Sequence, residues 1–346
     1  MRILSFIYYL ITSLRNFLYD KGIFRVKRVP GVEIICIGNI TVGGTGKTPA
    51  VQYFSKRLQK MGRKVAVVSR GYRGKRKREP LLVSDGREIF ATTRESGDEP
   101  FLHALNLHKI PIIVSSNRYK GCLFAKKHFN VDTIILDDGF QHRKLGRNRD
   151  IVLIDATNPF GWGQLLPLGM LREDFKKAAK RASEFIITKS DLVSEREVER
   201  IKKYLKKKLN KEVSTAKHGV TSLCDLKGNA KPLFWIKDKR VLLFSGLANP
   251  LNFEKTVISL EPSYIERVDF MDHHNFKKKD IELIQKRAES MQASYIITTE
   301  KDLVKLPRDL SINNLFVLKI EFTPAWELKL MPSAYLIIKL HEFINE

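Results

Sequence analysis

The fold is decided by the stretch Val32-Glu-Ile-Ile-Cys-Ile-Gly38-Asn-Ile-Thr-Val-Gly-Gly-Thr-Gly-Lys47-Thr48. An apolar run typical of a buried strand passes into a glycine-rich turn, and apolar residues then recur at helical spacing. Glycines let the backbone approach a polyphosphate with its N–H groups, and the following helix N-terminus adds the positive end of its dipole. The stretch therefore predicts a phosphate-binding P-loop between a strand and a helix.

The residue types of this loop predict how a nucleoside triphosphate is held. Lys47 would reach the β- and γ-phosphates, and the Thr48 hydroxyl would bind Mg²⁺. The usual first glycine of the motif is replaced by Thr41, so later glycines must supply the turn. The predicted nucleotide-binding residues of the loop are Gly43, Gly44, Thr45, Gly46, Lys47 and Thr48.

The composition bounds the class of protein. A length of 346 residues suggests about two domains, and an apolar content of 43% is enough to form buried cores. The net charge of +24 implies attraction to an anionic partner: nucleic acid, an anionic membrane surface or a phosphorylated substrate. The three cysteines show no disulfide or metal-ligand spacing, which favours a reducing compartment.

Apolar strand patterns alternate with helical patterns over most of the chain. This rhythm predicts an α/β fold of the P-loop NTPase type, with a mostly parallel sheet and helices on both of its faces. The character changes near Gly219, and a second, smaller α/β domain begins at the apolar run Val241-Leu-Leu-Phe244.

Acidic residues occupy two positions that suit a P-loop enzyme. Asp137 and Asp138 end an apolar strand, where a carboxylate can hold the Mg²⁺ of a bound nucleotide. Asp98 and Glu99 precede Pro100, which favours the first turn of a helix. The predicted metal-binding residues are Thr48, Glu99, Asp137 and Asp138.

The N-terminal stretch from Ile3 to Leu14 is uncharged but shorter than the roughly 20 residues that a membrane span needs. It lacks a following small-residue cleavage site, which argues against a signal peptide. Aromatic and aliphatic residues flanked by Arg2 and Arg15 favour a helix lying in a membrane interface. Packing of this helix on the protein's own core is the alternative, and the two are compatible.

Two other functions are weighed against these motifs. The tetrapeptide Thr188-Lys-Ser-Asp191 resembles the guanine-reading motif of GTPases, which suggests a soluble GTPase or a metal-delivery ATPase. That class predicts an Asp-x-x-Gly switch, whereas Asp138 is followed by Gly139 and Phe140. A nucleic-acid-binding ATPase is suggested by charge alone, without an aromatic-basic module.

A set of motifs in fixed order resembles the tetraacyldisaccharide 4′-kinases, the lipid A 4′-kinases of Gram-negative bacteria. The resemblance covers nearly the whole chain, and its motifs are Gly38-Asn-Ile-Thr-Val-Gly-Gly-Thr-Gly-Lys-Thr-Pro49, Ser69-Arg-Gly-Tyr72, Ser96-Gly-Asp-Glu-Pro100, Asp137-Asp-Gly-Phe-Gln-His142, Gly169-Met-Leu-Arg-Glu173, Phe270-Met-Asp-His273 and Thr299-Glu-Lys-Asp302. It implies transfer of the γ-phosphate of ATP to the 4′-hydroxyl of a tetraacylated glucosamine disaccharide 1-phosphate, giving lipid IVA and ADP.

The resemblance also implies roles for individual residues. Asp98 and His273 resemble a dyad that helps to deprotonate the hydroxyl, and the adjacent His274 is the competitor for that place. Gln141 and His142 are expected near the phosphates. The implied catalytic residues are Lys47, Asp98, Asp138 and His273, and the candidate substrate-binding arginines are Arg70, Arg118 and Arg172.

The resulting domain expectation runs along the whole chain. It places a membrane-interfacial helix over 1–20, a P-loop kinase domain over 21–219, a linker with short strands over 220–240, a smaller α/β domain carrying the His273 loop over 241–332 and a C-terminal helix over 333–346. The resemblance implies ATP and Mg²⁺ as cofactors and the cytoplasmic face of the bacterial inner membrane as the location. Expected partners are the acylated disaccharide lipid and an anionic membrane surface, with neither nucleic acid nor an obligate protein partner.

Overall fold

The computed structural model describes residues 1–307 and 312–326. The helix expected over 333–346 lies outside these described residues. The helices are α1 (Arg2–Asp20), α2 (Lys47–Lys60), α3 (Thr93–Ser96), α4 (Asp98–Asn106), α5 (Arg118–Phe129), α6 (Phe175–Arg181), α7 (Glu195–Leu209), α8 (Pro250–Ile258), α9 (Lys278–Ser290) and α10 (Glu300–Leu303). The strands are β1 (Glu33–Asn39), β2 (Val65–Ser69), β3 (Leu81–Ser84), β4 (Ile112–Val114), β5 (Thr133–Asp137), β6 (Arg149–Asp155), β7 (Glu184–Thr188), β8 (Glu212–Asp225), β9 (Ala230–Lys231), β10 (Arg240–Ser245), β11 (Tyr264–Asp269), β12 (Tyr295–Thr299) and β13 (Leu315–Pro324).

The strands of the described chain form one continuous sheet in the order β11-β10-β12-β13-β8-β7-β6-β1-β5-β2-β4-β3, with β9 paired to β8. Pairing is parallel from β7 to β4, and parallel again from β11 to β13. Only β3, β9 and the β8–β13 contact are antiparallel among the described strands. The predicted fold, a mostly parallel sheet with helices, is confirmed.

The strand β1 shows why the sheet is doubly wound. Its residues alternate between two cores, with Ile34 and Cys36 on one face and Ile35 and Ile37 on the other. All four side chains are at most 4% exposed. A strand that is apolar on both faces needs helices on both sides, which parallel crossovers supply.

The strand β8 joins the two halves of the sheet. Its first residues pair in parallel with β7, and its later residues pair antiparallel with β13. Residues 220–225 of the predicted linker therefore belong to one long strand. Phe322 of β13 packs with Tyr53 and Phe54 of α2, so the second half contacts the P-loop helix.

The helix α1 carries its apolar residues on the outside. Within the part of the chain that the structure describes, no helix combines the length and the apolar character needed to cross a membrane. The buried residues of α1 are Ser5, Thr12 and Asn16, which are all polar. The large apolar side chains of α1 that remain exposed are Ile3, Leu4, Phe6, Ile7, Leu10, Ile11, Leu14 and Phe17.

Candidate active site

A cavity of about 860 Å³ lies where the two halves of the sheet face each other. The P-loop and the segments that follow β2 and β5 line it from the first half. The segments that follow β11 and β12 line it from the second half. Because ligands of open α/β sheets bind beyond the carboxyl ends of the strands, this cavity is the candidate site.

The P-loop forms as its sequence predicts. The helix α2 begins at Lys47, and Gly46 before it has a φ of 80°, in the left-handed region that favours glycine. Lys47 and Thr48 are only 8% and 6% exposed. The first turn of α2 contains no acidic residue, so its N–H groups and dipole favour an anion.

Three side chains hold the P-loop in place through hydrogen bonds. The Asn39 amide donates to the Thr45 hydroxyl at 3.0 Å. The Thr188 hydroxyl donates to the Thr45 carbonyl at 3.0 Å, and the Lys189 ammonium donates to the Gly44 carbonyl at 2.7 Å. The Thr188-Lys-Ser-Asp191 motif therefore supports the P-loop backbone. The sequence motif suggested a guanine-reading site, and it did not predict these contacts of Thr188 and Lys189 with the P-loop backbone.

The two adjacent acids after β5 lie in different environments. Asp138, with a φ of 51°, lines the cavity, and its Oδ1 lies 3.9 Å from the Lys47 ammonium. Arg172 donates to both of its carboxylate oxygens at 2.9 and 3.0 Å. Burial raises the pKa of Asp138, but Lys47 and Arg172 outweigh it and hold that pKa below its ordinary value.

Asp137 points away from the cavity surface. It is 1% exposed and accepts a hydrogen bond from the Ser69 hydroxyl at 3.0 Å. The Nε2 atom of His103, which is fully buried, lies 3.5 Å from the same carboxylate. Its other oxygen, Oδ1, is buried without a hydrogen-bond partner among the described residues. The structure thus gathers Asp138, but not Asp137, onto the surface beside Lys47.

The entrance of α4 contacts the second half of the chain through two adjacent acids. Asp98 Oδ2 lies 2.9 Å from His273 Nδ1, and His273 itself lines the cavity. Glu99 Oε1 accepts a hydrogen bond from the Lys301 ammonium at 2.5 Å. Lys301 lowers the pKa of Glu99 well below its ordinary value.

The two histidines at 273 and 274 have different partners. His273 pairs with Asp98, whereas His274 Nε2 lies 2.9 Å from Asp280 Oδ2 and its ring stacks on Phe270. Lys301 belongs to the Thr299-Glu-Lys-Asp302 motif, but that motif does not predict its contact with Glu99.

The remaining predicted residues also face the cavity. Arg70, Arg118, Arg172, Gln141 and His142 all line it. Burial and the nearby Arg118 lower the pKa of His142 to about 4, so this imidazole is neutral near pH 7. The cavity therefore concentrates cationic arginines beside a neutral histidine, which suits an anionic ligand.

Comparisons with known proteins show which family this chain resembles. A family model described as Tetraacyldisaccharide-1-P 4'-kinase matches residues 1–332. A protein of Halothermothrix orenii named Tetraacyldisaccharide 4'-kinase is 39% identical over 344 residues, covering 93% of this chain and 88% of the relative. The chain belongs to this family.

Further matches support membership in the tetraacyldisaccharide 4′-kinase family. A protein of the same name from Syntrophus aciditrophicus is 37% identical over 313 residues, covering 88% of this chain and 83% of the relative. A crystal structure described as the "apo" form of LpxK from Aquifex aeolicus in complex with ATP has a TM-score of 0.72 and 31% identity. It covers 94% of this chain and 95% of that chain.

Proposed function

We propose that this chain transfers the γ-phosphate of ATP to the 4′-hydroxyl of a tetraacylated disaccharide 1-phosphate, a step of lipid A biosynthesis. The observation that carries this proposal is the meeting of Lys47, Asp138 and His273 around one cavity. Phosphoryl transfer depends on in-line positioning and charge neutralisation, and these residue types supply both.

The nucleotide phosphates occupy the P-loop end of this cavity. Backbone N–H groups of residues 43–48 hold the β-phosphate, and Lys47 neutralises charge that develops on the transferred group. Arg172 keeps Asp138 ionised and in place, because it donates to both carboxylate oxygens. Arg70 and Arg118 bind anionic groups of the two substrates.

The sugar hydroxyl meets its base at the opposite wall. Asp98 accepts the Nδ1 proton of His273, which leaves Nε2 unprotonated and able to take the hydroxyl proton. A placed base of this kind accelerates such a step by roughly 10²–10⁴-fold. Because Asp98 lies in the first half of the chain and His273 in the second, closure of the two halves would assemble the base.

Mg²⁺ accompanies ATP in this proposal. The described residues contain no cluster of three or more His, Cys, Asp or Glu side chains that could hold a metal ion. Asp138 and Glu99 supply two carboxylates to the cavity lining, and Mg²⁺ is usually held by one or two carboxylates together with substrate phosphates and water. The Thr48 hydroxyl, Asp138 and Glu99 would hold it, and Glu99 also accepts a hydrogen bond from Lys301. Bound there, it neutralises phosphate charge.

The chain works at the cytoplasmic face of the bacterial inner membrane in this proposal. The exposed apolar face of α1 enters the lipid interface, and the net charge of +24 favours an anionic surface. An acylated substrate reaches the cavity from that surface. The proposed reaction needs neither nucleic acid nor an obligate protein partner. Its two domains are residues 21–219, which carry the P-loop, and residues 241–332, which carry the His273 loop.

The test is transfer of radiolabel from the γ-position of ATP to a tetraacyldisaccharide 1-phosphate by the purified chain. The control acceptor already carries a 4′-phosphate, and GTP replaces ATP in a second control. Label in the first acceptor only, with ATP preferred, supports the proposal. The proposal is contradicted if the rate of nucleotide hydrolysis does not depend on the lipid acceptor, or if RNA or DNA stimulates it instead.

A further inference from the structure

The burial of α1 is the reverse of what a surface helix normally shows. Its inner stripe is polar, with Ser5, Thr12 and Asn16 all at most 9% exposed, and its outer face is apolar. A helix that only anchored the chain to a membrane would need no such stripe. Buried polar side chains need hydrogen-bond partners, so the contacts of this inner stripe indicate its role.

The polar stripe binds the segment that carries Arg172. The Ser5 hydroxyl donates to the Leu165 carbonyl at 3.0 Å, and the Tyr8 hydroxyl donates to the Arg172 carbonyl at 2.8 Å. The Asn16 amide donates to Glu173 Oε2 at 2.7 Å. Three points along α1 thus hold residues 165–173 against the sheet.

Glu173 connects this stripe to the cavity. Its carboxylate is fully buried, and Oε1 accepts from the Gln141 amide at 3.2 Å. Arg181 donates to both of its oxygens at 2.8 and 2.9 Å. Gln141 Oε1 in turn accepts from Arg172 at 3.3 Å, and Arg172 holds Asp138.

We propose that α1 positions the active site, with Tyr8 and Asn16 as positioning residues for Arg172 and Gln141. Seating the apolar face of α1 in a lipid surface then fixes the residues 165–173 and, through them, Asp138 beside Lys47. This inference rests on the proposed function and deepens it, because it couples membrane contact to the geometry of the transfer site.

Charge near α1 identifies a lipid surface as the occupant of its outer face. Arg2 begins the helix and Lys21 directly follows it, and the Lys177 ammonium lies 5.3 Å from the centre of the Tyr9 ring. Arg15, expected to contact lipid phosphates, instead lines the cavity and donates to Asn16 Oδ1 at 3.2 Å. Cations flanking an apolar stripe match an anionic interface, where headgroup phosphates surround acyl chains.

The decisive variant is Asn16→Leu, which keeps the side-chain size and removes both the donor to Glu173 and the oxygen that accepts from Arg15. The turnover number should fall about 10- to 100-fold, because misplacement of a catalytic group by about 1 Å costs that much. The KM for ATP and binding to vesicles of anionic phospholipid should change less than about two-fold, since the apolar face is intact. Tyr8→Phe should lower kcat in the same way.

The matched control is Thr12→Val. Thr12 lies on the same buried stripe, but among the described residues its hydroxyl donates only to the carbonyls of Tyr8 and Tyr9 in its own helix. The turnover number should stay within about two-fold of the wild type, which separates positioning from general damage to the helix. Asn16→Asp places a second carboxylate beside that of Glu173, and the repulsion between them should lower the turnover number. Adding Glu173→Gln should restore part of that turnover, because it removes one of the two charges.

Hydrogen exchange gives a readout besides activity. Anionic vesicles should slow amide exchange of residues 165–173 in the wild type and have little effect in Asn16→Leu. The coupling is overturned if both Asn16→Leu and Tyr8→Phe keep the wild-type kcat, or if vesicles do not change the amide exchange of residues 165–173. Either result leaves the proposed function standing. If Asn16→Leu does not fold, Tyr8→Phe decides by the same kcat criterion. A wild-type chain that transfers no label overturns the proposed function and this inference with it.

Discussion

His273 Nδ1 lies 2.9 Å from Asp98 Oδ2, although 175 positions separate the two residues. Asp98 opens α4 in the first half of the chain, and His273 follows β11 in the second half. The next residue of α4, Glu99, makes a second such contact with Lys301. The first turn of one short helix therefore makes two of the contacts that join the halves of the chain beside the P-loop.

Asp98→Ala should lower kcat by about 10²–10⁴-fold and leave ATP affinity nearly unchanged, because the imidazole loses its orienting acceptor. Single-turnover kinetics and calorimetric ATP titration check the two halves of this prediction. His274→Gln is the control, since His274 pairs with Asp280 instead. A larger loss of ATP affinity than of kcat would make Asp98 a nucleotide ligand.

Lys47→Ala should lower turnover at least about 10²-fold, because the transferred phosphate loses its neutralising ammonium. Lys56→Ala on the exposed side of the same helix α2 is the matched control and should keep wild-type turnover. Steady-state rates with saturating lipid acceptor measure both. Equal rates for the two variants would remove the P-loop from the mechanism.

Gly46→Ala should destabilise the protein by about 1–2 kcal/mol, because an L-residue is strained at a φ of 80°. A Cβ at this position would also lie 2.1 Å from His218 Cε1, so that ring must move. Gly44→Ala, whose Cβ meets nothing within 4 Å, should change the free energy of unfolding by less than about 0.5 kcal/mol. Urea unfolding compares them, and equal losses would contradict the strain argument.

The stability of the protein should fall as the pH drops from about 6.5 to 4. Burial lowers the pKa of His218 to about 4, and the nearby Lys189 adds to the effect. Between these pH values the imidazole is protonated in the unfolded chain but not in the folded protein. The free energy of unfolding therefore rises with pH by up to about 1.4 kcal/mol per unit. His218→Gln should remove this share of the slope, and superimposable pH profiles for the two proteins would refute it.

Ile11→Glu should weaken binding to anionic vesicles roughly ten-fold or more, because an apolar side chain that is 62% exposed would no longer enter the lipid. Ile258→Glu on α8 changes an isoleucine that is 54% exposed in the second half of the chain, and it should bind as the wild type does. Co-sedimentation at two salt concentrations measures both, with weaker binding at high salt. Equal binding would place the membrane contact elsewhere.

The first half of the fold could be predicted because its signals are local. In β1 both faces are apolar, and the glycine-rich turn that ends in Lys47 is typical of a P-loop. The strand β8 could not be predicted, because small and polar residues dominate its sequence. Its partner β13 lies about ninety residues later, and that pairing supplies the order that the local sequence lacks.

The site shows the same limit at the level of single side chains. Asp137 and Asp138 are chemically equivalent in the sequence. In the structure Asp137 ends β5 and is buried, whereas Asp138 has a left-handed φ of 51° and lines the cavity. The contact between Glu99 and Lys301 depends on how two halves of the sheet meet. The polar inner stripe of α1 was hidden because its apolar residues dominate the pattern.

The measurement that tests the account most directly is a structure of this chain with a non-hydrolysable ATP analogue and Mg²⁺. The account predicts a γ-phosphorus beside Lys47 and within about 7 Å of His273 Nε2, which leaves room for one hydroxyl between them. A γ-phosphate seated on Lys47 but far outside the reach of His273 and Asp138 would contradict the account.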